Sequence, residues 1–262
     1  MKIKVLGAHC LESANTRLTS LLIDDILALD AGGLTSALTF EDQRKLRAIL
    51  LTHRHFDHVR DVALVGYYNA LLPGPEWKDP KRAYSTSGTL DNIMADILNG
   101  QTFPDFTRPL SSGKVPLQLC PIEPYKPEVI EGYTVMAIPV KHSVPTVGYS
   151  VTSPRGRTLF FTGDTGPGIA DCWEHVSPDI LITEITGINA LEERMVSVGH
   201  LTPNLLHKEL AEFKRIKGYI PPVVLVHISP ELEDLTREEV NKVAKQLGAD
   251  IKLGYEGMTL TV

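Results

Sequence analysis

Apolar residues fall in short blocks through the opening third of the chain, which is the pattern of extended strands. Residues 2–6, 19–23 and 26–30 read as strands, the last closed by Gly32-Gly33. Residues 39–45 predict a short helix, with Thr39 as N-cap and Asp42 three residues on. Residues 47–52 form a buried strand around the unbroken run Ala48-Ile49-Leu50-Leu51. The period then changes. Val59, Val62, Ala63, Val65, Gly66, Tyr68 and Ala70 make a broad helical face over residues 59–72, which Leu72-Pro73-Gly74-Pro75 ends. Ser87 can cap a second helix over residues 88–99, with Leu90, Ile93, Met94, Ile97 and Leu98 on one side. Residues 101–127 are proline-rich and lack a clear period, so they read as a loop or arm over the functional site.

Strands return at 134–140, 148–152 and 157–162, with Ser153-Pro154-Arg155-Gly156 as a hairpin turn. Residues 180–184 form another buried strand, 203–214 a helix, 223–227 a strand, 237–246 a helix and 258–261 a final strand. Strand groups in each half, each flanked by helices, predict an α+β protein of four layers, two sheets sandwiched between helices (αββα). No linker-like segment divides the chain, so residues 1–262 read as one domain.

Composition narrows the classes of function. The 262 residues are 43% hydrophobic and 22% charged, ordinary for a soluble globular protein, and enough to bury a core without staples. Cys10, Cys120 and Cys172 are odd in number and form no CxxC pair, which excludes a zinc ribbon or disulfide framework and makes a reducing cytoplasm the expected compartment. The start Met1-Lys2-Ile3-Lys4-Val5-Leu6-Gly7 has no apolar signal region, and the longest apolar stretch, residues 62–72, is too short for a bilayer. A net charge of −6 argues against a large nucleic acid partner. A small anionic substrate fits, since bound divalent cations supply local positive charge.

The chemistry concentrates in His53-Arg54-His55-Phe56-Asp57-His58, placed directly after a buried strand. Packing does not favour such a cluster, because each buried unpaired polar group costs about 1–3 kcal/mol. A solvated polar turn is the competing reading. Imidazole nitrogen and carboxylate oxygen are donors that borderline cations such as Zn²⁺ prefer. His53 and His55, at alternate positions, can point at one ion while Asp57 and His58 reach a second.

Leu51-Thr52-His53-Arg54-His55-Phe56-Asp57-His58 resembles the HxHxDH motif of the metallo-β-lactamase fold superfamily. That resemblance implies the αββα sandwich and three further ligands at strand ends. His142 in Pro139-Val140-Lys141-His142, Asp164 in Thr162-Gly163-Asp164-Thr165-Gly166 and His227 after Val223-Val224-Leu225-Val226 match them. The implied set is His53, His55 and His142 on one ion, Asp57, His58 and His227 on the other, with Asp164 bridging. Two divalent ions follow, with zinc expected and Mn²⁺ or Fe²⁺ compatible with the donors.

Gly199-His200-Leu201-Thr202-Pro203, the GDTGP string at 163–167 and the helix carrying Leu205, Leu206 and Leu210 resemble the class II cyclic-nucleotide phosphodiesterases, over residues 51–229. The related tRNA 3′-processing endonucleases carry a comparable histidine and a strand like Ile182-Thr183-Glu184, which implies that Glu184 orients His200. The expected reaction is hydrolysis of a phosphodiester by a hydroxide bridging two metals, with Asp57 orienting it and His200 serving the departing alkoxide. A 3′,5′-cyclic nucleotide such as cyclic AMP, cleaved to 5′-AMP, is the expected substrate. A tRNA endonuclease of the RNase Z type, a lactonase or β-lactamase, and a metal-stabilised binding module without catalysis are the alternatives. Analogy within the fold also implies a homodimer.

The remaining candidates read as structural. His9 and Cys10 lie in Gly7-Ala8-His9-Cys10, where the related family has a glycine-rich turn. His175 and His207 suit solvated helix faces, Trp77 and Trp173 packing, and Tyr67 and Tyr68 a core or interface.

Overall fold

A computed structural model describes residues 1–72 and 79–262; the Pro73-Gly74-Pro75 stop and Trp77 lie outside the described residues. In chain order the first half gives β1 (Lys2–Gly7), β2 (Ser20–Ile23), β3 (Leu27–Leu29), α1 (Leu34–Ala37), α2 (Phe40–Lys45), β4 (Ala48–Leu50), α3 (Phe56–Leu71), β5 (Lys81–Ser85), α4 (Ser87–Asn92) and β6 (Leu117–Pro121). The second half gives β7 (Glu128–Ile130), β8 (Tyr133–Val140), β9 (Thr146–Thr152), β10 (Thr158–Phe161), α5 (Ala170–His175), β11 (Ile180–Glu184), α6 (Glu192–Val198), α7 (Pro203–Lys217), β12 (Val223–Val226), α8 (Glu233–Leu247), β13 (Ile251–Leu253) and β14 (Thr259–Thr261).

The strands make two seven-stranded sheets, ordered β14-β1-β2-β3-β4-β5-β6 and β13-β12-β11-β10-β9-β8-β7. Each sheet is antiparallel at one end and parallel at the other: β3 to β6 run parallel in the first, β10 to β13 in the second. Side chains alternate across a strand, and here both faces are covered, which is why the strands read as unbroken apolar runs. Leu27, Leu29, Ala48, Leu50, Leu159, Phe161, Ile180, Ile182, Val224 and Val226 meet in the core between the sheets. Their neighbours Ala28, Ile49 and Leu51 turn outward against Val59, Val62 and Ala63 of α3. Phe160, Leu181, Val223 and Leu225 turn outward against α5, α7 and α8 through Trp173, Leu206, Leu210, Phe213 and Val240. Helix, sheet, sheet, helix is therefore the observed order of layers, an α+β sandwich of the metallo-β-lactamase type.

Three local readings of the sequence are corrected. Helix α3 starts at Phe56, before the expected start at 59, with His55 extended in the capping position, so Asp57 and His58 belong to its first turn. Apolar periodicity could not show this, because that turn is spent on polar side chains. The expected helix over 88–99 is α4, capped in position by Thr86, running into a π-helical turn at Ile93–Ile97. Residues 101–127 do not form an arm over the site. They hold β6, and Phe103 and Phe106 pack on Tyr67 of α3, with ring centroids 6.1 and 5.8 Å away.

Among the described residues no helix is long and apolar enough to cross a membrane. Trp173 packs edge-on to Phe160 and Phe213, with centroids at 6.1 and 5.1 Å. Trp173→Ala removes this plug between α5, α7 and the second sheet, and should cost about 3–5 kcal/mol of stability, read as a lower urea midpoint.

Candidate metal centre

The candidate ligands sit where strands of both sheets end, on one edge of the sandwich. His53 and His55 follow β4, and Asp57 and His58 open α3. His142 follows β8, Asp164 follows β10 and His227 follows β12. The two sheets are tied together there by main chain and side chain: Val147 N donates to Thr52 O at 3.0 Å, and the Tyr149 hydroxyl donates to Leu51 O at 2.9 Å. Each candidate is thus held at the end of a rigid strand or in the first turn of a helix rather than by a long loop.

Three constellations able to hold a cation result, one of them Asp164, His200 and His227, which overlaps the other two sets. Of those two, His53, His55, His142 and Asp164 converge in one, and Asp57, His58 and His227 in the other. His53 Nε2 and His142 Nε2 stand 2.9 and 3.2 Å from His55 Nδ1. Asp57 Oδ2 lies 3.4 Å from His58 Nε2 and 3.3 Å from His227 Nε2. One oxygen, Asp164 Oδ2, is shared: it lies 3.8 Å from His53 and His142 Nε2, 3.3 Å from His58 Nε2 and 3.4 Å from His227 Nε2. Nitrogens and oxygens facing one another this closely have no mutual hydrogen-bond pattern that satisfies them all.

The back of each ring explains which nitrogen is offered forward. The buried carboxylate of Asp30 accepts from His58 Nδ1 at 2.8 Å, from Thr52 N at 2.8 Å and from Thr52 Oγ1 at 2.9 Å. The Thr52 hydroxyl, its proton committed to Asp30, is left to accept from His53 Nδ1 at 2.9 Å. His142 Nδ1 donates to the carbonyl of Gly199 at 2.8 Å, and His227 Nδ1 to Thr186 Oγ1 at 2.8 Å. Each of these rings so presents Nε2 with its lone pair to the centre, the arrangement of metal-ligating histidines with fixed tautomers. Gly199 has φ +78°, and a Cβ there would come within 2.8 Å of Ser143 N and 2.9 Å of His142 Cα, so only glycine lets its carbonyl reach the ring. Gly163, at φ +62°, brings the turn before Asp164 against Thr52, where a Cβ would meet the threonine side chain at 2.7 Å. His227 itself has φ +58°, a left-handed conformation that costs a non-glycine residue on the order of 1–3 kcal/mol.

Among the described residues six buried side-chain polar atoms have no hydrogen-bond partner, and two of them, His58 Nε2 and Asp164 Oδ1, belong to the cluster. Divalent cations are the groups this donor set fits, since nitrogen and oxygen lone pairs of buried side chains converge with no proton to share. The electrostatics agree. Burial, with the His58 ring beside it, holds His53 well below its ordinary pKa, and burial lowers His55 and His142 as well, so these rings are neutral donors. Burial opposes the charge on Asp164, yet His227 and His58 hold it well below the usual carboxylate range. His58 is desolvated too, but Asp164 and Asp30 on either side raise it far above an ordinary histidine, a preference for positive charge at that position.

His200 stands beside this cluster. Its Nδ1 lies 2.7 Å from Glu184 Oε1, and its ring stacks on His227 at 5.3 Å and meets His142 edge-on at 4.9 Å. Burial disfavours its charged form, but Glu184 outweighs burial and lifts the pKa to about 9. Glu184 is itself buried, and it also accepts from Thr165 N at 2.9 Å, Leu201 N at 3.2 Å and Thr186 Oγ1 at 2.7 Å. Thr186 therefore joins the carboxylate behind His200 to the ring of His227.

The family follows from this arrangement. A match to the Beta-lactamase superfamily domain spans residues 21–228. The chain belongs to that superfamily. In fold it is similar to unliganded yeast PDE1 (16% identity, TM-score 0.84, 100% of this chain and 99% of that one). It is similar also to the metallo-beta-lactamase fold protein YhfI of Bacillus subtilis (19%, 0.77, 99% of each). The short form of human tRNase Z is a third similar structure (18%, 0.67, 100% and 99%). No curated protein matches the sequence significantly.

All nine residues singled out in the sequence, His53, His55, Asp57, His58, His142, Asp164, Glu184, His200 and His227, come together at this edge. Asp30, Thr52, Thr186 and the Gly199 carbonyl were not anticipated. Asp30 had one visible signal, a carboxylate ending an apolar strand before Ala31-Gly32-Gly33; the two threonines had none. His9 is structural, as expected: its ring sits between Glu256 at 2.6 Å and Glu233 at 3.2 Å, tying the first turn to α8 and to the turn before β14. Trp173 packs, and His175 lies against Tyr125 at 4.7 Å. A cavity of about 820 Å³ lined by Ile26, Lys81, Arg82 and Glu131 holds none of the candidate ligands and lies at the opposite ends of β3 to β5.

Asp30→Ala should leave His58 Nδ1 and Thr52 without their acceptor and lower metal affinity about 10–100-fold, measured by competition with a chromogenic chelator. The His9 contacts predict a pH effect on stability. Burial lowers its pKa, but Glu256 and Glu233 raise it above 6.5 overall. The folded state therefore holds the proton more tightly than the unfolded state, and the contribution is complete below pH 6.5 and lost as pH rises through the folded value. The Tm difference between wild type and His9→Gln should be largest near pH 6 and shrink toward pH 9, in thermal scans on the metal-loaded protein.

Proposed function

We propose that this chain is a two-metal hydrolase of phosphodiesters, acting on a small substrate, with a 3′,5′-cyclic nucleotide such as cyclic AMP favoured. The observation that carries this reading is the His200–Glu184 pair, 2.7 Å apart, set against a cluster of seven candidate ligands. Hydrolysis of carboxylic amides and lactones on the same cluster has no need of a second cationic group there. A phosphodiester does, because charge develops on the non-bridging oxygens and on the departing alkoxide.

Divalent cations in the two constellations supply Lewis acidity and a hydrolytic nucleophile at neutral pH. Zinc suits the nitrogen-rich set, and Mn²⁺ or Fe²⁺ are compatible with it. This chain's own residues do the rest. His53, His55 and His142 would hold one ion and Asp57, His58 and His227 a second, with Asp164 close to both sets. Asp57, on the first turn of α3, keeps a carboxylate oxygen at the mouth to orient the attacking water. Glu184 accepts from His200 Nδ1 and stabilises the imidazolium, in which Nε2 also carries a proton that can face the substrate. In the reaction the P–O3′ bond of cyclic AMP breaks, water supplies the new P–O bond and releases a proton to solvent, and the 3′-oxygen leaves with a proton from His200 to give 5′-AMP.

The names of two structural neighbours support the substrate class: yeast PDE1, and a diphosphatase of the PhnP family (18% identity, TM-score 0.69, 100% of this chain and 97% of that one). The net charge of −6 favours a small substrate over tRNA.

The test is a panel of 3′,5′-cyclic nucleotides, a linear dinucleotide, a tRNA precursor and a lactone, run with wild type and His200→Ala, with metal content measured in parallel. The expected outcome is turnover of cyclic nucleotides that falls about 10²–10⁴-fold in the variant while its metals are retained. Two bound metals with no diester turnover, or turnover of the lactone alone, would end the reading.

A further inference from the structure

Two large apolar side chains on segments that adjoin the candidate ligands stand in solvent. Phe56 lies between the candidate ligands His55 and Asp57 and is 63% exposed, and Leu11 is 55% exposed. Leu11 follows Cys10, and this loop borders the cluster. The main chain confirms the placement, since Cys10 N donates to the carbonyl of Ile228, next to His227.

The loop is rigid. Ser13 N donates to Thr16 O at 3.1 Å, Asn15 N and Thr16 N donate to Ser13 Oγ at 3.2 Å, and Thr16 Oγ1 donates to Leu11 O at 2.9 Å. An ion pair between Glu12 and Arg60 ties it to α3. Arg60 Nε in turn donates to Asp61 Oδ1 at 2.9 Å, and Asp61 is buried and accepts from Thr35 N at 2.6 Å. Arg60 is four residues beyond Phe56, on the same side of the helix, so Glu12 brings Leu11 to the side of α3 where Phe56 projects. Apolar surface held in water at the edge of a polar site is surface kept for a ligand that has both characters.

We propose that Leu11 and Phe56 form an apolar clamp for the nucleobase of a substrate whose phosphate lies on the metal centre, with Glu12–Arg60 as the strut that holds the clamp open. The substrate class rests on the phosphodiester reading above. A planar base offers an aromatic face to Phe56 and an edge to Leu11, and the sugar spans the distance from there to the phosphate. The clamp contributes affinity for the organic part and nothing to the bond broken.

The experiment measures binding of 5′-AMP, ribose 5-phosphate and inorganic phosphate to the metal-loaded protein by calorimetry, for wild type, Leu11→Ala, Phe56→Ala and Phe56→Tyr, with metal content measured for each. The clamp predicts that wild type binds 5′-AMP more tightly than ribose 5-phosphate. It predicts that each alanine variant weakens 5′-AMP about tenfold, leaves inorganic phosphate and metal content unchanged, and that Phe56→Tyr retains wild-type affinity. Equal affinity of wild type for 5′-AMP and ribose 5-phosphate overturns it, as does equal weakening of all three ligands or loss of metal. Dissociation of a wild-type dimer by the alanine variants, with 5′-AMP affinity unchanged, overturns it in favour of a second copy as the occupant. The measurement is of binding, so a clamp that holds with no diester turned over faults only the phosphodiester reading, and turnover without the base preference faults only the clamp.

Discussion

Imidazole nitrogens and carboxylate oxygens crowded into a dry space repel or strand one another unless each has been given one direction in which to point. That constraint organises the whole edge of the sandwich. Asp30, Thr52, Thr186 and the Gly199 carbonyl each take a proton at the back of a ring, and each sits at the end of an element that the apolar cores hold in place. The helix layers matter to the centre because they press the sheets into register, and the register sets where each strand stops. His53 Nε2 lies 3.8 Å from Asp164 Oδ2 because β4 and β10, in different sheets, end level with one another. A cation replaces the missing protons of this arrangement and completes it electrostatically, much as a counter-ion completes a buried pair.

What was legible beforehand followed from contiguity and contrast. Four candidate ligand side chains in six positions after an apolar strand are visible in any sequence, and so are glycine-framed strings such as Gly163-Asp164-Thr165-Gly166. The four-layer order was legible too, because strands covered on both faces have no polar alternation to hide them. The partners at the back of the rings were not. Asp30 lies 28 residues from His58, Thr186 lies 41 from His227, and a threonine that donates to a carboxylate looks like any other threonine. Strand β5 escaped because Lys81-Arg82-Ala83-Tyr84-Ser85 is polar in composition; Lys81 is buried only because its ammonium donates to the carbonyls of Arg44 and Leu46. The segment before β6 escaped because proline and isolated aromatics give no period, although Phe106 settles against Gly66 where α3 has no side chain.

Glu184 shows how one buried carboxylate serves two tasks. One oxygen faces His200, and the other faces Thr186, which stands behind His227. Movement of either ring therefore disturbs the same acceptor, and the group assigned to the leaving oxygen is mechanically joined to one of the candidate ligands. Backbone donors from Thr165 and Leu201 hold that acceptor still.

Asp57 and His227 approach to 3.3 Å although 170 residues separate them along the chain. An ion gripped by both is a cross-link closing a loop nearly two-thirds the length of the protein, and it acts on the unfolded chain as a disulfide would, by removing conformations that the free chain could explore. A metal held there would be a topological fastener as well as a reagent. The protein has three cysteines and all are free thiols, so no disulfide supplies such a cross-link. Resistance to unfolding, and with it the lifetime of the chain, becomes a function of the free metal concentration around it.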